Sequence, residues 1–395
     1  MSSPNVPQGF QLAVASAGFK KPGRKDLAFV LSDRPAVAAG VFTRNVFKAA
    51  PVQLGSEILQ ERATVRAAIF NAGNANACTG AEGFANCCLS QEYLAAVSDI
   101  EPGDILPAST GVIGQQFDMA LWQKAIPELM DNLGKASVED FAQAIMTTDA
   151  FPKFCGEELL LSGGSVTLAA VAKGAGMICP NMATMLSLVL CDADVDAADW
   201  RAMFSRVVDR TFNRATVDGD TSTNDTLYGL ANGASGVKVE GDDLKILENT
   251  LTGILEDLAY KLVQDGEGAS KVMHIHVRGT ASDADAETVA RTVGHSPLVK
   301  TAMYGKDANW GRIIAAVGRS GVACNASDVR LSLCGVEVFV HEQPVDKDLD
   351  ALLKEPLEDR DIAIDITVGA GPGEYRLLAS DLGHEYVSIN ADYRT

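Results

Sequence analysis

The stretch "KGAGMICPNMATMLSLVL", residues 173–190, opens as a glycine loop, is stopped by Pro180 and ends in an unbroken apolar run. A short apolar run entered from a turn is the pattern of a strand buried on both faces. The seam between the halves is Ala183-Thr184, one small residue followed by one hydroxyl. On packing grounds Thr184 is a β-branched first residue of that strand. On chemical grounds it is also a candidate nucleophile, and the placement of histidine favours one form of that chemistry. All five histidines (274, 276, 295, 341 and 384) lie in the last third of the chain. A nucleophile near residue 184 must take its base from across the fold or do without histidine. If the Ala183-Thr184 bond is cut, Thr184 gains an α-amine whose unperturbed pKa, about 8, suits a general base at neutral pH. The small Ala183 leaves its carbonyl open to the adjacent hydroxyl.

Around this stretch the chain reads as an ordinary globular protein. Its 395 residues suggest two or three domains. Hydrophobic residues make up 47% and charged residues 22%, and no apolar run approaches the roughly 18 residues of a membrane helix. No membrane partner is expected. A net charge of -19 lacks the basic stripe that phosphate backbones need, so nucleic acid is excluded as a partner and small molecules are favoured. The first 25 residues place two prolines before a short apolar patch and basic residues after it, the reverse of a signal peptide. A cytoplasmic protein is expected. The eight cysteines show no CxxC pair and read as reduced thiols, mostly in the core.

Strands are expected at "LAFVLSD" (27–33), "VRAAIFNAG" (65–73) and "SVTLAAVAKG" (165–174), each closed by a turn residue. "SVEDFAQAIMTTD" from Ser137 opens with a capping arrangement and predicts a helix that ends near Thr147 and Thr148. Asp196 predicts the cap of a second helix bearing Trp200, Met203, Phe204, Val207, Val208 and Phe212 on one face. A third carries Leu247, Leu251, Ile254, Leu255, Leu258 and Leu262 and ends at "DGEG", which includes Glu267. "KVMHIHVRG" and "DIAIDITVG" alternate with period two. The fold class is α/β or α+β with helices covering sheets, and a domain change near residues 270–285 divides the chain into 1–280 and 281–395.

Most of the candidate motifs fail on their chemistry. His274 and His276 share a strand face, but no third ligand accompanies them, so no metal is expected. "DGDTSTND" (218–225) has Ser222 and Thr223 where a calcium loop needs a ligand and a glycine. By residue chemistry alone it reads first as a surface Asx-turn loop and second as the wall of an active site. "GAGPGE" and "KGAGM" lack the endings of dinucleotide and P-loop motifs. "NAGNANACTG" (71–80) is a tight loop, and "ASTGVIG" (108–114) sets the Thr110 hydroxyl beside the Gly111 amide, a pair able to donate to one oxygen.

Several separated motifs converge on one family. "NAGNANACTG", "STGVIG", "MTTDAFPK", "KGAGMICPNMATML", "VDGDTSTNDT", "KTAMYGKDANWGRI" and the terminal "YVSINADYRT" resemble, in order and spacing, the ornithine acetyltransferases (glutamate N-acetyltransferases) of arginine biosynthesis. The resemblance covers nearly the whole chain. It implies a layered αββα sandwich of the self-processing type with a smaller C-terminal α/β domain. It also implies a precursor cut between Ala183 and Thr184 into an α chain of residues 1–183 and a β chain of 184–395, which assemble into higher (αβ)n oligomers. Thr184 would carry the acetyl group from N-acetylornithine to glutamate by ping-pong transfer. Thr110 and Gly111 match the oxyanion hole of the family. Thr147, Lys173, Thr184, Glu267, Asn390 and Thr395 match its substrate-contacting positions. No cofactor is implied, and acetyl-CoA is left open as a second acetyl donor. The alternative of the same fold is a self-processing aminopeptidase or amidase, with water as acceptor.

Overall fold

The structure is a computed structural model that describes residues 3–20, 23–179 and 185–392. The chain forms two compact units. Among the described residues the first comprises those up to 213 together with 220–262, and the second comprises 214–219 together with 263–392.

The first unit is built on β1 (Phe10–Ala15), β2 (Leu27–Phe42), β3 (Thr64–Asn74), β4 (Ile105–Val112), β5 (Lys153–Leu161), β6 (Gly164–Lys173) and β7 (Leu186–Cys191). The two-residue β8 (Asp194–Val195) follows, and β9 (Ala215–Thr216) belongs to the second unit. β10 (Thr226–Ala231) returns to the first, and β11 (Lys238–Val239) pairs with β8. Among the described residues the main sheet has eight strands in the order β4-β3-β2-β10-β7-β6-β5, with β1 also on β2. The apolar run after residue 184 is therefore a central strand, as its composition predicts, and all six residues of β7 are buried.

β2 shapes this sheet. Its register against β3 shifts between Leu31 and Ala36, over a stretch that includes Pro35, which has no N–H to give a ladder. Residues Leu27–Leu31 pair with both β1 and β3, while Val37–Phe42 pair with β10. On a flat sheet β10 and β4 would lie about 14 Å apart, three strand spacings. Yet the Tyr228 hydroxyl of β10 donates to the Pro107 carbonyl of β4 at 2.9 Å, and the Tyr228 and Phe70 rings meet edge to face at 6.2 Å. The sheet is curled on itself into two layers, with Phe70, Val171, Leu188 and Tyr228 in the core between them. Helices cover the outsides. Trp122, Ile126 and Leu129 of the helix Met119–Asp131 pack on Phe29 and Ile69. Against the other layer, the Trp200 indole of the helix Ala197–Arg210 donates to Gly229 of β10 at 3.0 Å. This is the expected αββα sandwich. Each large apolar side chain it buries contributes about 1.5–3 kcal/mol.

The helix signals were accurate at their starts. Ser137 and Asp140 form a reciprocal capping box on Val138–Ile145, and Asp196 caps Ala197–Arg210. The second helix is shorter than its apolar period suggests: it ends at Arg210, and Phe212 is buried from the short 3₁₀ turn Phe212–Arg214.

The second unit holds β12 (Val272–Thr280), β13 (Arg330–Leu333), β14 (Val336–Val340), β15 (Gln343–Pro344), β16 (Asp361–Thr367) and β17 (Gly373–Ser380), in the order β15-β14-β13-β16-β12-β17-β9. Period two sorts its faces. Met273, Ile275 and Val277 of β12 join Ile362, Ile364 and Ile366 of β16 in a core under the helices Asp283–Gly294 and Trp310–Gly318. His274 and His276 point to the opposite face, where they meet Asp361 at 2.7 Å and Glu374 at 2.8 Å.

Among the described residues no helix is long and apolar enough to cross a membrane. The cysteines are free thiols, of which Cys87, Cys179 and Cys191 are buried while Cys78 and Cys324 are exposed. Burial pushes the Cys191 thiol up to about 12. The expectation of mostly core thiols thus holds for only those three.

Candidate active site

The parallel strands β3 and β4 end side by side, with Asn71 opposite Ser109, Ala72 opposite Thr110 and Gly73 opposite Gly111. Gly111 has φ +136°, and a Cβ there would fall 2.2 Å from the Gly73 carbonyl carbon. Only glycine allows this backbone approach. The loop beyond β3 is held by its own amides. Asn71 Nδ2 donates to the Asn74 carbonyl at 2.9 Å, Asn74 Oδ1 accepts from the Asn76 N–H at 2.7 Å, and Asn76 Nδ2 donates to the Gly83 carbonyl at 2.8 Å. Ser109 Oγ donates to Asn71 Oδ1 at 2.5 Å, which ties the loop to the residue before Thr110.

The polar segment at 218–225 corrects its sequence reading. Thr223, Asn224 and Asp225 are buried rather than at the surface. Asn224 Nδ2 donates to the carbonyls of Ala75 at 2.6 Å and Ser109 at 2.8 Å, so it fastens both strand ends at once. Such polar density survives burial because its donors find backbone carbonyls.

Lys173 ends β6, opposite Leu186 on β7. Its side chain is buried, and Nζ lies 3.2 Å from Thr110 Oγ. An ammonium can only donate, so Thr110 accepts this bond and keeps its own hydroxyl hydrogen for another acceptor. The result is a threonine O–H beside the Gly111 N–H, backed by a positive charge.

Asp149 joins the remaining pieces, and sequence reasoning passed over it. Its carboxylate accepts from the Thr147 N–H at 2.8 Å, the Gly174 N–H at 2.6 Å and Lys153 Nζ at 2.8 Å. The Asp149 and Lys153 side chains are both 0% exposed. Burial works against its charge, but Lys153 and then Lys173 outweigh it and hold the carboxyl well below the usual range. Asp149 and Lys153 stand four apart in "MTTDAFPK", a helical spacing, but Pro152 sits between them and the pair is not on a helix, so the spacing gave no usable signal.

Four predicted residues, Thr110, Gly111, Thr147 and Lys173, are thereby linked within the first unit by hydrogen bonds and strand pairing through Gly73, Gly174 and Asp149. Glu267 and Asn390 belong to the second unit, where Asn390 Nδ2 donates to Glu267 Oε2 at 2.7 Å and to the Tyr386 carbonyl at 2.9 Å. Ala183, Thr184 and Thr395 lie outside the described residues.

The sequence pattern of the ArgJ family matches residues 11–395. The chain belongs to the ArgJ family. The arginine biosynthesis bifunctional protein ArgJ of Nitratidesulfovibrio vulgaris is 60% identical to it over 389 residues, covering 98% of this chain and 99% of that protein. A crystal structure of the arginine biosynthesis bifunctional protein ArgJ from Bacillus halodurans is 36% identical and covers 53% of this chain and 100% of that one, with a TM-score of 0.50. A crystal structure of ornithine acetyltransferase complexed with ornithine from Mycobacterium tuberculosis is 34% identical over 46% of this chain and 96% of that one, with a TM-score of 0.40. As a member of the ArgJ family the chain is an acyltransferase of arginine biosynthesis, of the ornithine acetyltransferase type, as its motifs imply.

Proposed function

We propose that this chain matures by cutting itself between Ala183 and Thr184 and then carries acetyl groups from N-acetylornithine to glutamate through Thr184. In maturation the Thr184 hydroxyl attacks the Ala183 carbonyl, the C–N bond breaks so that an ester replaces the peptide bond and the Thr184 α-amine is freed, and water then cleaves the ester to the Ala183 carboxylate and the regenerated hydroxyl. In turnover that amine takes the hydroxyl proton as Oγ attacks the acetyl carbonyl. The C–N bond breaks, and the proton leaves with the amine of ornithine. The glutamate amine then attacks the acetyl ester and regenerates the hydroxyl.

The observation that carries this reading is the Lys173 to Thr110 hydrogen bond. It leaves the Thr110 O–H free to donate beside the Gly111 amide, the pair of donors that a tetrahedral oxyanion needs in both half-reactions. Thr147 and Lys173 are assigned to substrate binding, Lys173 for the α-carboxylate that both amino acids share. Glu267 and Asn390 are assigned to substrate contact through the motifs that carry them, Glu267 for an ammonium group, and Thr395 by the same carry-over. The name bifunctional in its relatives supports acetyl-CoA as a second donor for glutamate. The working form is an assembly of processed α and β chains in the cytoplasm.

Two measurements test this. Ornithine release from N-acetylornithine is expected to continue past a single turnover only when glutamate is present; full-rate release without it would make the enzyme an amidase. Thr110→Ala is expected to lower kcat about 10²- to 10³-fold, the cost of one oxyanion donor, while Thr110→Ser keeps the donor and most of the rate. Equal kcat in the alanine variant and the native enzyme would remove Thr110 from the oxyanion hole.

A further inference from the structure

Lys20, in the loop between β1 and β2, is absent from every motif discussed above. Its stem lies over the oxyanion strand pair, since a Cβ on Gly73 would fall 2.7 Å from Lys20 Cγ, and Gly73 is the register partner of Gly111. Its ammonium donates to the Met146 carbonyl at 3.0 Å, one residue before Thr147. The side chain therefore spans from the backing of Gly111 to the Thr147 segment. Arg24 reaches the same carbonyl at 3.5 Å.

Positive charge is in excess here, within a protein of net charge -19. Arg24 and Lys173 both act on Lys20, and among the described residues the carboxylates that act on it are Asp149 and Asp26. Both are engaged elsewhere. Asp149 holds Lys153 and two backbone amides, and Asp26 accepts from the N–H groups of Ala17, Gly18 and Lys20 itself. A half-buried ammonium with one carbonyl acceptor among the described residues has donors to spare for an anion.

We propose that Lys20 is a substrate-binding residue that takes the side-chain carboxylate of the acceptor amino acid, an inference that rests on glutamate being that acceptor. The two amino acids share an α-carboxylate, for which Lys173 suffices. They differ at the far end, an ammonium on ornithine and a carboxylate on glutamate, so one pocket must receive opposite charges in successive half-reactions. A permanent cation would repel the first. Burial, and then Arg24 and Lys173, bring Lys20 down to about 7 against the pull of Asp149 and Asp26. It can release its proton to water when the ornithine end enters and take one up when the carboxylate arrives.

The test is steady-state kinetics of processed Lys20→Met and Lys20→Arg enzymes with each substrate varied. Lys20→Met is expected to raise KM for glutamate about 10- to 100-fold, the loss of a charge-assisted hydrogen bond, with KM for N-acetylornithine within about twofold of native. Lys20→Arg should restore glutamate binding. Relative to Lys20→Arg, native kcat/KM for glutamate should fall as pH rises through about 7, because only the protonated lysine binds the carboxylate. An unchanged KM for glutamate, an equal rise in both KM values, or identical pH profiles for native and arginine enzymes would overturn the proposal. A native enzyme that turns over without glutamate would instead overturn the acceptor on which it rests.

Discussion

Thr184→Ala is expected to yield one uncut chain of 395 residues, where the native protein is expected to yield pieces of 183 and 212 residues, and to lower acetyl transfer more than about 10⁴-fold. A single methyl group replaces two functions. Without the hydroxyl nothing attacks the Ala183 carbonyl, so the α-amine stays locked in a peptide bond and is unable to act as a base. Nucleophile and base are lost together, and their effects do not add separately. Thr184→Ser retains the hydroxyl and is expected to cut itself. Intact mass reads the first effect and ornithine release the second. Two pieces from the alanine variant would end the nucleophile assignment.

Asp149→Ala is expected to be the most damaging substitution outside that bond. It removes the carboxylate that pairs with Lys153, whose side chain is 0% exposed, and with it the acceptor of the Thr147 and Gly174 amides. Breaking a buried pair by deleting one partner costs about 3–5 kcal/mol, a large share of the roughly 5–15 kcal/mol that holds a domain together. A lower urea midpoint is the measurement. Asp149→Ala with Lys153→Met should recover much of that stability, because no bare charge remains, and little of the activity, because the two amides still lack their acceptor. The native carboxyl lies below its unfolded value, so its contribution is fully present above about pH 4 and is lost as pH falls further toward the native value. The Asp149→Ala enzyme should lack that part of the acid response. A midpoint equal to native would show that the pair holds nothing together.

Much of the local structure was legible in particular residues. The Ser137 and Asp196 caps, the continuous burial of β7 and the period-two faces of β12 and β16 follow from interactions within a few residues, which spacing records. The errors share a cause. The apolar repeat ran on to Phe212 although the helix stops at Arg210, because burial depends on the surrounding fold while a helix end depends on local hydrogen bonds. Residues 223–225 read as surface because they are polar, yet Asn224 is buried on carbonyls 149 and 115 positions away in the chain. β9 has two residues, too few to show a period, and it is identified as a strand only by its pairing with Leu378 and Ala379.

Ala183-Thr184 could be nominated from the chain alone because hydroxyl, amine and the bond between them are covalent neighbours, and no folding is needed to bring them together. The motifs likewise carried the family and its chemistry. Tertiary structure alone decided how the sheet curls so that Tyr228 meets Pro107, why Gly111 admits no side chain, where Asp149 holds the site together and that Lys20 lies over Gly73. Each of these is a contact between segments distant in sequence, set by strand order and burial, and neither leaves a trace in local composition.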